Sequence, residues 1–391
     1  MASLNEIIDY LKAVVATMHN IELEVLEVNS HYASFNDARN RLIKLACSSN
    51  SKDPGMIVPL GRGKFNDIFN HLNAPDFVVR VPKQPFKYSK EVDRSKRYDA
   101  MCGRIGDDIT PGIYTVYCIP YYKINADGTE TCNVVTATLM QKLRIFHVNE
   151  SILEWPLGRN DKNRIAALVM LPLLRMVERK AFHNDLHNEN IVLVSDDEEN
   201  GVKILDFDGG CNSLSTPEND DGALCSSEHL FGEIGPEFLM SVNHYMRCST
   251  DENSIDKWQS FAIMYCKFLR KYFPDQYREI FTNNELPTSG KLIASEITNY
   301  VKNNSKCDVG DMRKCFDQSQ VYVIANLTIT KIIAPPHTFY ATEAIMVMRD
   351  RSMLEEGLDK DLFAMLIKCL GLLPETRPTT AEIRTMLERF V

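Results

Sequence analysis

Two short stretches gather the residue types that could do chemistry: His183-Asn-Asp-Leu-His-Asn-Glu-Asn190 and Ile204-Leu-Asp-Phe-Asp-Gly-Gly210. They hold two carboxylates, Asp185 and Asp206, and one amide, Asn190. Between them lie the apolar runs Ile191–Val194 and Val202–Leu205, separated by the acidic, glycine-containing segment Ser195–Gly201. That pattern predicts a tight β-hairpin, which would carry both loops at one end of its strands. The chemistry that needs this arrangement is phosphoryl transfer. One Asp orients the attacking hydroxyl and accepts its proton, while a second Asp and an Asn hold a divalent cation on nucleotide phosphates. An acidic surface hairpin would not explain why Asp206 interrupts a β run between Leu205 and Phe207, where an unpaired carboxylate is costly.

Such a site needs elements that bring phosphates to it. Upstream, Val58–Phe69 and Asp76–Lys83 are β-rich runs, the first interrupted by Gly61-Arg62-Gly63-Lys64-Phe65. Glycines there let backbone amides approach phosphates, whose charge a cation on the next strand can meet. Strand alternation and the break at Pro82 favour Arg80 as that cation. Lys83 is the alternative.

Together these motifs resemble the protein kinase superfamily. The resemblance makes Asp185 the catalytic Asp, and Asn190 and Asp206 the ligands of Mg²⁺ or Mn²⁺ on ATP. Gly61 and Gly63 would be the first two glycines of the Gly-rich loop, with Phe65 at its tip and Arg62, Lys64 and Ile68 against the nucleotide. Arg80 or Lys83 would pair with the α- and β-phosphates; Lys83 fits the family's usual distance from the first glycine better. Glu91, with Asp93 behind it, would be the ion-pair partner of that cation. Met140 would stand at the back of the nucleotide pocket, and Gln141, Lys142 and Leu143 would form the hinge. Further on, Gly235-Pro236-Glu237 resembles the Ala-Pro-Glu that closes an activation segment. Asp256-Lys-Trp258 resembles the start of the central C-lobe helix, and Arg377-Pro378 the turn before the last helix. The family's buried ion pair would then join Arg377 to Glu237.

The sequence also departs from the pattern. Asn66 replaces the third glycine, and Asn184 replaces the Arg that reads a phosphorylated activation loop. His187 stands where the family has Lys, as in aminoglycoside-type phosphotransferases, and could donate a hydrogen bond to the γ-phosphate. Asp208 replaces the glycine after Phe207. These departures are similar to those of kinases delivered by intracellular bacteria or carried by large viruses.

The fold class implied is α+β and bilobal. Residues 1–55 form a helical extension, 56–143 an N-lobe with an antiparallel sheet and one regulatory helix, and 144–391 a mainly helical C-lobe. Apolar periodicity predicts helices over 3–19 and from Phe35 to Ala46, and a long one over 163–180 that Pro172 should bend. Residues 112–124 and 133–143 read as strands joined through the hairpin signal Asp127-Gly128.

Composition narrows the rest. The 391 residues are 44% apolar and 25% charged, ordinary for a globular protein. A net charge of −9 argues against general nucleic-acid binding. Eleven cysteines without a Cys-x-x-Cys pair suit a reducing cytosol, in a host cell if the chain is a secreted effector. No apolar window long enough for a transmembrane helix is present, and the first residues lack a secretory pattern. Against the acidic background, Lys87, Lys90, Arg94, Lys96 and Arg97 concentrate positive charge on the segment from Arg80 to Arg104. A solvated helix face explains that run; an inositol polyphosphate or other polyanion gripped there, biasing a regulatory helix, is the sharper expectation. The reading is a protein kinase acting on Ser or Thr hydroxyls. Its alternatives are a small-molecule kinase of inositol phosphates or aminoglycosides, and a nucleotide-binding pseudokinase.

Overall fold

In the computed structural model, the described residues are 4–16, 21–28, 30–48, 57–62, 66–84, 105–144, 162–179, 181–183, 186, 190–194, 201–205, 211–212, 235–240, 252–281, 286–306, 316–333 and 357–391. The chain divides into two compact units. One comprises Met1–Ile145 with Leu205–Gly210, the other Phe146–Ile204 with Cys211–Val391.

The first unit is a mixed α+β body built on a mainly antiparallel six-stranded sheet. Its strands are β1 (Glu22–Val25), β2 (Pro59–Arg62), β3 (Asn66–Asn70), β4 (Phe77–Pro82), β5 (Ile113–Ile124) and β6 (Glu130–Gln141), in spatial order β1-β5-β6-β4-β3-β2. Asp127-Gly128 makes the β5–β6 turn as the dipeptide predicts; Gly128 adopts φ 78°, and Asp127 Oδ1 accepts from the Thr129 amide at 3.0 Å.

Residues before the sheet are helical as expected, in α1 (Leu4–Ala16) and α2 (Phe35–Cys47), but they are more than an extension. Between the helices, Glu22–Val25 joins the sheet edge as the only parallel pairing among the described strands, with Leu23 opposite Val116 and Val25 opposite Cys118. The two helices cover opposite faces. Ser34 caps α2 by accepting from the Asp37 amide at 3.1 Å. Its buried stripe of Phe35, Ala38, Leu42, Ile43 and Ala46 packs on Phe69, Val79, Val81, Tyr117, Ile119, Val135 and Ala137. Each large side chain buried there contributes about 1.5–3 kcal/mol. On the other face, Ile7 and Leu11 of α1 pack with Cys118, Leu23, Val25 and Val134.

The second unit is mainly helical. Helix α3 (Lys162–Glu178) contains Pro172 and leads into strand β7 (Ala181–Phe182). Then come β8 (Ile191–Leu193), β9 (Val202–Ile204) and β10 (Cys211–Asn212), forming two small antiparallel pairs, β8 with β9 and β7 with β10. Helices α4 (Pro236–Leu239), α5 (Glu252–Tyr272), α6 (Pro274–Ile280), α7 (Gly290–Asn304), α8 (Phe316–Ile333), α9 (Lys360–Cys369) and α10 (Thr380–Leu387) follow. Residues 320–330 of α8 are buried on every side, and the helix packs along α3. Burial pushes the Cys47, Cys266 and Cys369 thiols up to about 12, so these behave as neutral, apolar groups. No described helix is long and apolar enough to cross a membrane.

Candidate functional site

In the first unit, strand register decides which side chains share a face. Val79 and Val81 belong to the core under α2, so by alternation Val78 and Arg80 stand on the opposite face of β4. Across the sheet Arg80 lies opposite Ile68 on β3 and Thr138 on β6. Ile68 in turn faces Gly61 on β2, and Val78 faces Met140 on β6. Gly61, Ile68, Arg80 and Met140 therefore form one patch. Arg80 and Met140 are buried, at 7% and 5% exposure. A side chain at position 61 would meet nothing within 4 Å, and Gly61 has ordinary negative φ. Neither packing nor backbone conformation demands glycine there.

Lys83, the alternative cation, is turned the other way. Its Nζ lies 3.6 Å from Asp67 Oδ1, and Asp67 is on the α2 face, hydrogen-bonded to Arg39 of that helix at 2.6 Å. Register thus separates two basic residues that the sequence left as competitors.

The expected hinge begins where β6 ends. The Gln141 amide donates to the Gly112 carbonyl at 2.7 Å and the Lys142 amide to the Asp76 carbonyl at 2.8 Å. The Gln141 side-chain carbonyl accepts from the Gly112 amide at 3.3 Å. Among the described residues the half-buried Leu143 has no partner for its amide.

In the second unit, two strand pairs join the residues that flank the motif stretches. Phe182, immediately before His183, is opposite Cys211, immediately after Gly210. At the other end Ile191, immediately after Asn190, is opposite Ile204, two residues before Asp206. Each pairing fixes Cα atoms at about 4.5–5.5 Å. The residues on either side of the two stretches are thus paired at both ends, Phe182 with Cys211 and Ile191 with Ile204. The hairpin expected over 191–194 and 202–205 is present, and β7 with β10 adds a second closure that two-residue strands did not announce. His183, Leu186 and Asn190 are buried. Asn190 stands at the hairpin's open end, next to the Ile191–Ile204 pair. Amide and carboxylate oxygens are the hard donors that Mg²⁺ or Mn²⁺ prefers.

Asp185, His187 and Asp206 lie outside the described residues, as do Asn184 and Asp208. So do Gly63, Lys64 and Phe65 of the glycine turn and the carboxylates Glu91 and Asp93. The basic positions Lys87, Lys90, Arg94, Lys96 and Arg97 lie outside them too. Arg62 is described at the exposed end of β2.

The ion pair implied between Glu237 and Arg377 is present. Arg377 Nη1 and Nη2 donate to Glu237 Oε1 and Oε2 at 3.1 and 2.5 Å, and both side chains are fully buried. Burial alone would push the Arg377 pKa down, but the carboxylate beside it holds it above the ordinary value. Arg377 also donates from Nε to the Gly371 carbonyl at 2.9 Å and from Nη2 to the Leu372 carbonyl at 3.2 Å, with its guanidinium 5.5 Å from the Tyr322 ring. A Cβ at position 235 would stand 2.3 Å from Glu237 Oε1, a carboxylate the bidentate pair does not let move. This explains glycine before Pro236 where the resemblance has alanine. Trp258 is buried in α5, while Asp256 is exposed.

No protein-family model matches the chain, and no curated protein matches it in sequence.

Proposed function

We propose that the chain is a protein-kinase-like enzyme that transfers the γ-phosphoryl group of ATP to a protein hydroxyl. The observation that carries this reading is the double closure of the two motif stretches, Phe182 with Cys211 and Ile191 with Ile204. It keeps Asp185, Asn190 and Asp206 on segments that share both ends, as a two-carboxylate, one-amide phosphoryl-transfer site requires. The buried Glu237–Arg377 pair adds support, since it links two motifs of the same family 140 residues apart.

In this reading Asp185 orients the acceptor hydroxyl and takes its proton as the new oxygen–phosphorus bond forms. The bond from the γ-phosphorus to the β,γ-bridging oxygen breaks, and ADP leaves with that oxygen's electron pair. Mg²⁺ or Mn²⁺, when bound by Asn190 and Asp206, neutralises charge on the phosphates. Arg80 is the cation for the α- and β-phosphates, because it shares a sheet face with Gly61 and Met140 while Lys83 lies by Asp67 on the α2 face. As a planar fork, Arg80 can grip two phosphate oxygens at once. Gly61 leaves room for the phosphates, and the Leu143 amide is open to the edge of the adenine.

The test is transfer of label from γ-labelled ATP to a generic protein acceptor. Asp185→Ala and Asp206→Ala should each abolish it while leaving circular dichroism unchanged. Transfer retained by either variant would remove the role assigned to that residue. Label arriving only on an inositol phosphate or an aminoglycoside would reassign the acceptor.

A further inference from the structure

Helix α2 is tied to the ends of β3 and β4 through the Arg39 side chain. Arg39 Nε donates to the Pro82 carbonyl at the end of β4, at 2.7 Å, and its Nη2 donates to Asp67 Oδ2 near the start of β3, at 2.6 Å. The two acceptors sit on neighbouring strands, Asp67 opposite Val81. The guanidinium also lies 6.0 Å from the Phe69 ring, and the Arg39 and Asp67 side chains are only 14% and 16% exposed. Asp67 is the second residue after Phe65 in sequence and the second of β3. Its other oxygen lies 3.6 Å from Lys83 Nζ, beyond hydrogen-bond reach but within ion-pair range.

The geometry points to Arg39 as a positioning residue for nucleotide binding: it clamps β3 to β4 from the α2 face and, through Asp67, holds Lys83 off the face that carries Arg80. This rests on the reading of the Gly61–Phe65 turn as the cover of the nucleotide phosphates. The physical case is one of pre-organisation. Strand ends already fixed before a ligand arrives cost less to order on binding. Arg39 ties the start of β3 to the end of β4 with two charge-supported hydrogen bonds from a rigid, planar group. Its place in the chain matters as well. The clamp comes from α2, so in this reading the helix supports nucleotide binding from the sheet face opposite Arg80.

The test pairs steady-state kinetics with amide hydrogen exchange in the full chain. Arg39→Ala should raise KM for ATP at least about threefold with kcat changed by less than about twofold, the signature of lost ground-state positioning. Without nucleotide, the amides of residues 66–70 should exchange faster in the same variant. Arg39→Lys should recover only part of both effects, since one ammonium cannot serve Asp67 and Pro82 as a planar fork does. Ser34→Ala, which removes the α2 cap and keeps Arg39, separates positioning from general loosening; it should leave KM near the wild-type value. Wild-type KM in Arg39→Ala overturns the inference, and so does an equal rise in Ser34→Ala. A wild-type chain that binds no ATP overturns the proposed function and the nucleotide half of this inference. The exchange experiment needs no nucleotide and judges the clamp alone: unchanged protection over 66–70 in Arg39→Ala removes it.

Discussion

Among single residues, the energetic extremes are Glu237 and Arg377. Both are fully buried, and their charges are balanced by each other, by two backbone carbonyls and by the Tyr322 ring. A buried ion pair is weak evidence of net stabilisation, because desolvation of both charges offsets most of their attraction. Breaking it from one side is different, since a charge is left buried without its partner. Arg377→Ala or Glu237→Gln should therefore each cost about 3–5 kcal/mol, read from urea denaturation of the second unit. Replacing both at once by apolar residues of similar volume should cost less than either single change, and a double-mutant cycle gives the coupling. If the singles cost less than about 1 kcal/mol, in the range of an exposed pair, the burial described here is wrong. Sequence alone could not locate this pair. Nothing in composition or periodicity links positions 140 residues apart, and only the family resemblance suggested it.

At the scale of elements, close approach of backbones sets the tolerances. Gly290 opens α7 against α5, where a Cβ would come within 2.7 Å of the Cα and carbonyl oxygen of Gln259. Backbone cannot swing aside as a side-chain tip can, so Gly290→Ala forces the helices apart. The expected loss is about 1–3 kcal/mol, measurable as a lower Tm with unchanged helical content. How much of this architecture could be read in advance depended on local signals. Strands β5 and β6 were legible because long β-rich runs flank Asp127-Gly128, and α2 because Phe35, Ala38, Leu42 and Ala46 recur at helical spacing. Strand β1 was not: four residues, Glu22–Val25, pair in parallel with a strand far along the chain, so no turn residues mark the partnership. Helix α8 escaped for the opposite reason. Buried on all sides over 320–330, it has no polar face and thus no amphipathic period. For Arg80 and Lys83, alternation and Pro82 favoured Arg80, and the register adds that the two stand on opposite faces of the sheet.

At the scale of the whole molecule, the proposed function makes a thermodynamic demand of the full chain. A ligand that binds the folded chain and not the unfolded one stabilises it by mass action. ATP with Mg²⁺, supplied at about 100 times its Kd, should raise the unfolding free energy of the full chain by about 2.7 kcal/mol. The shift should appear in hydrogen exchange over β4, the strand that carries Arg80. Arg80→Ala and Asp206→Ala change residues assigned to opposite ends of the triphosphate, and each should reduce the shift at matched ATP concentration. Lys83→Ala should not, because its ammonium is engaged by Asp67 on the far face of the sheet. A shift lost in Lys83→Ala and kept in Arg80→Ala would reverse the assignment of the phosphate-pairing cation.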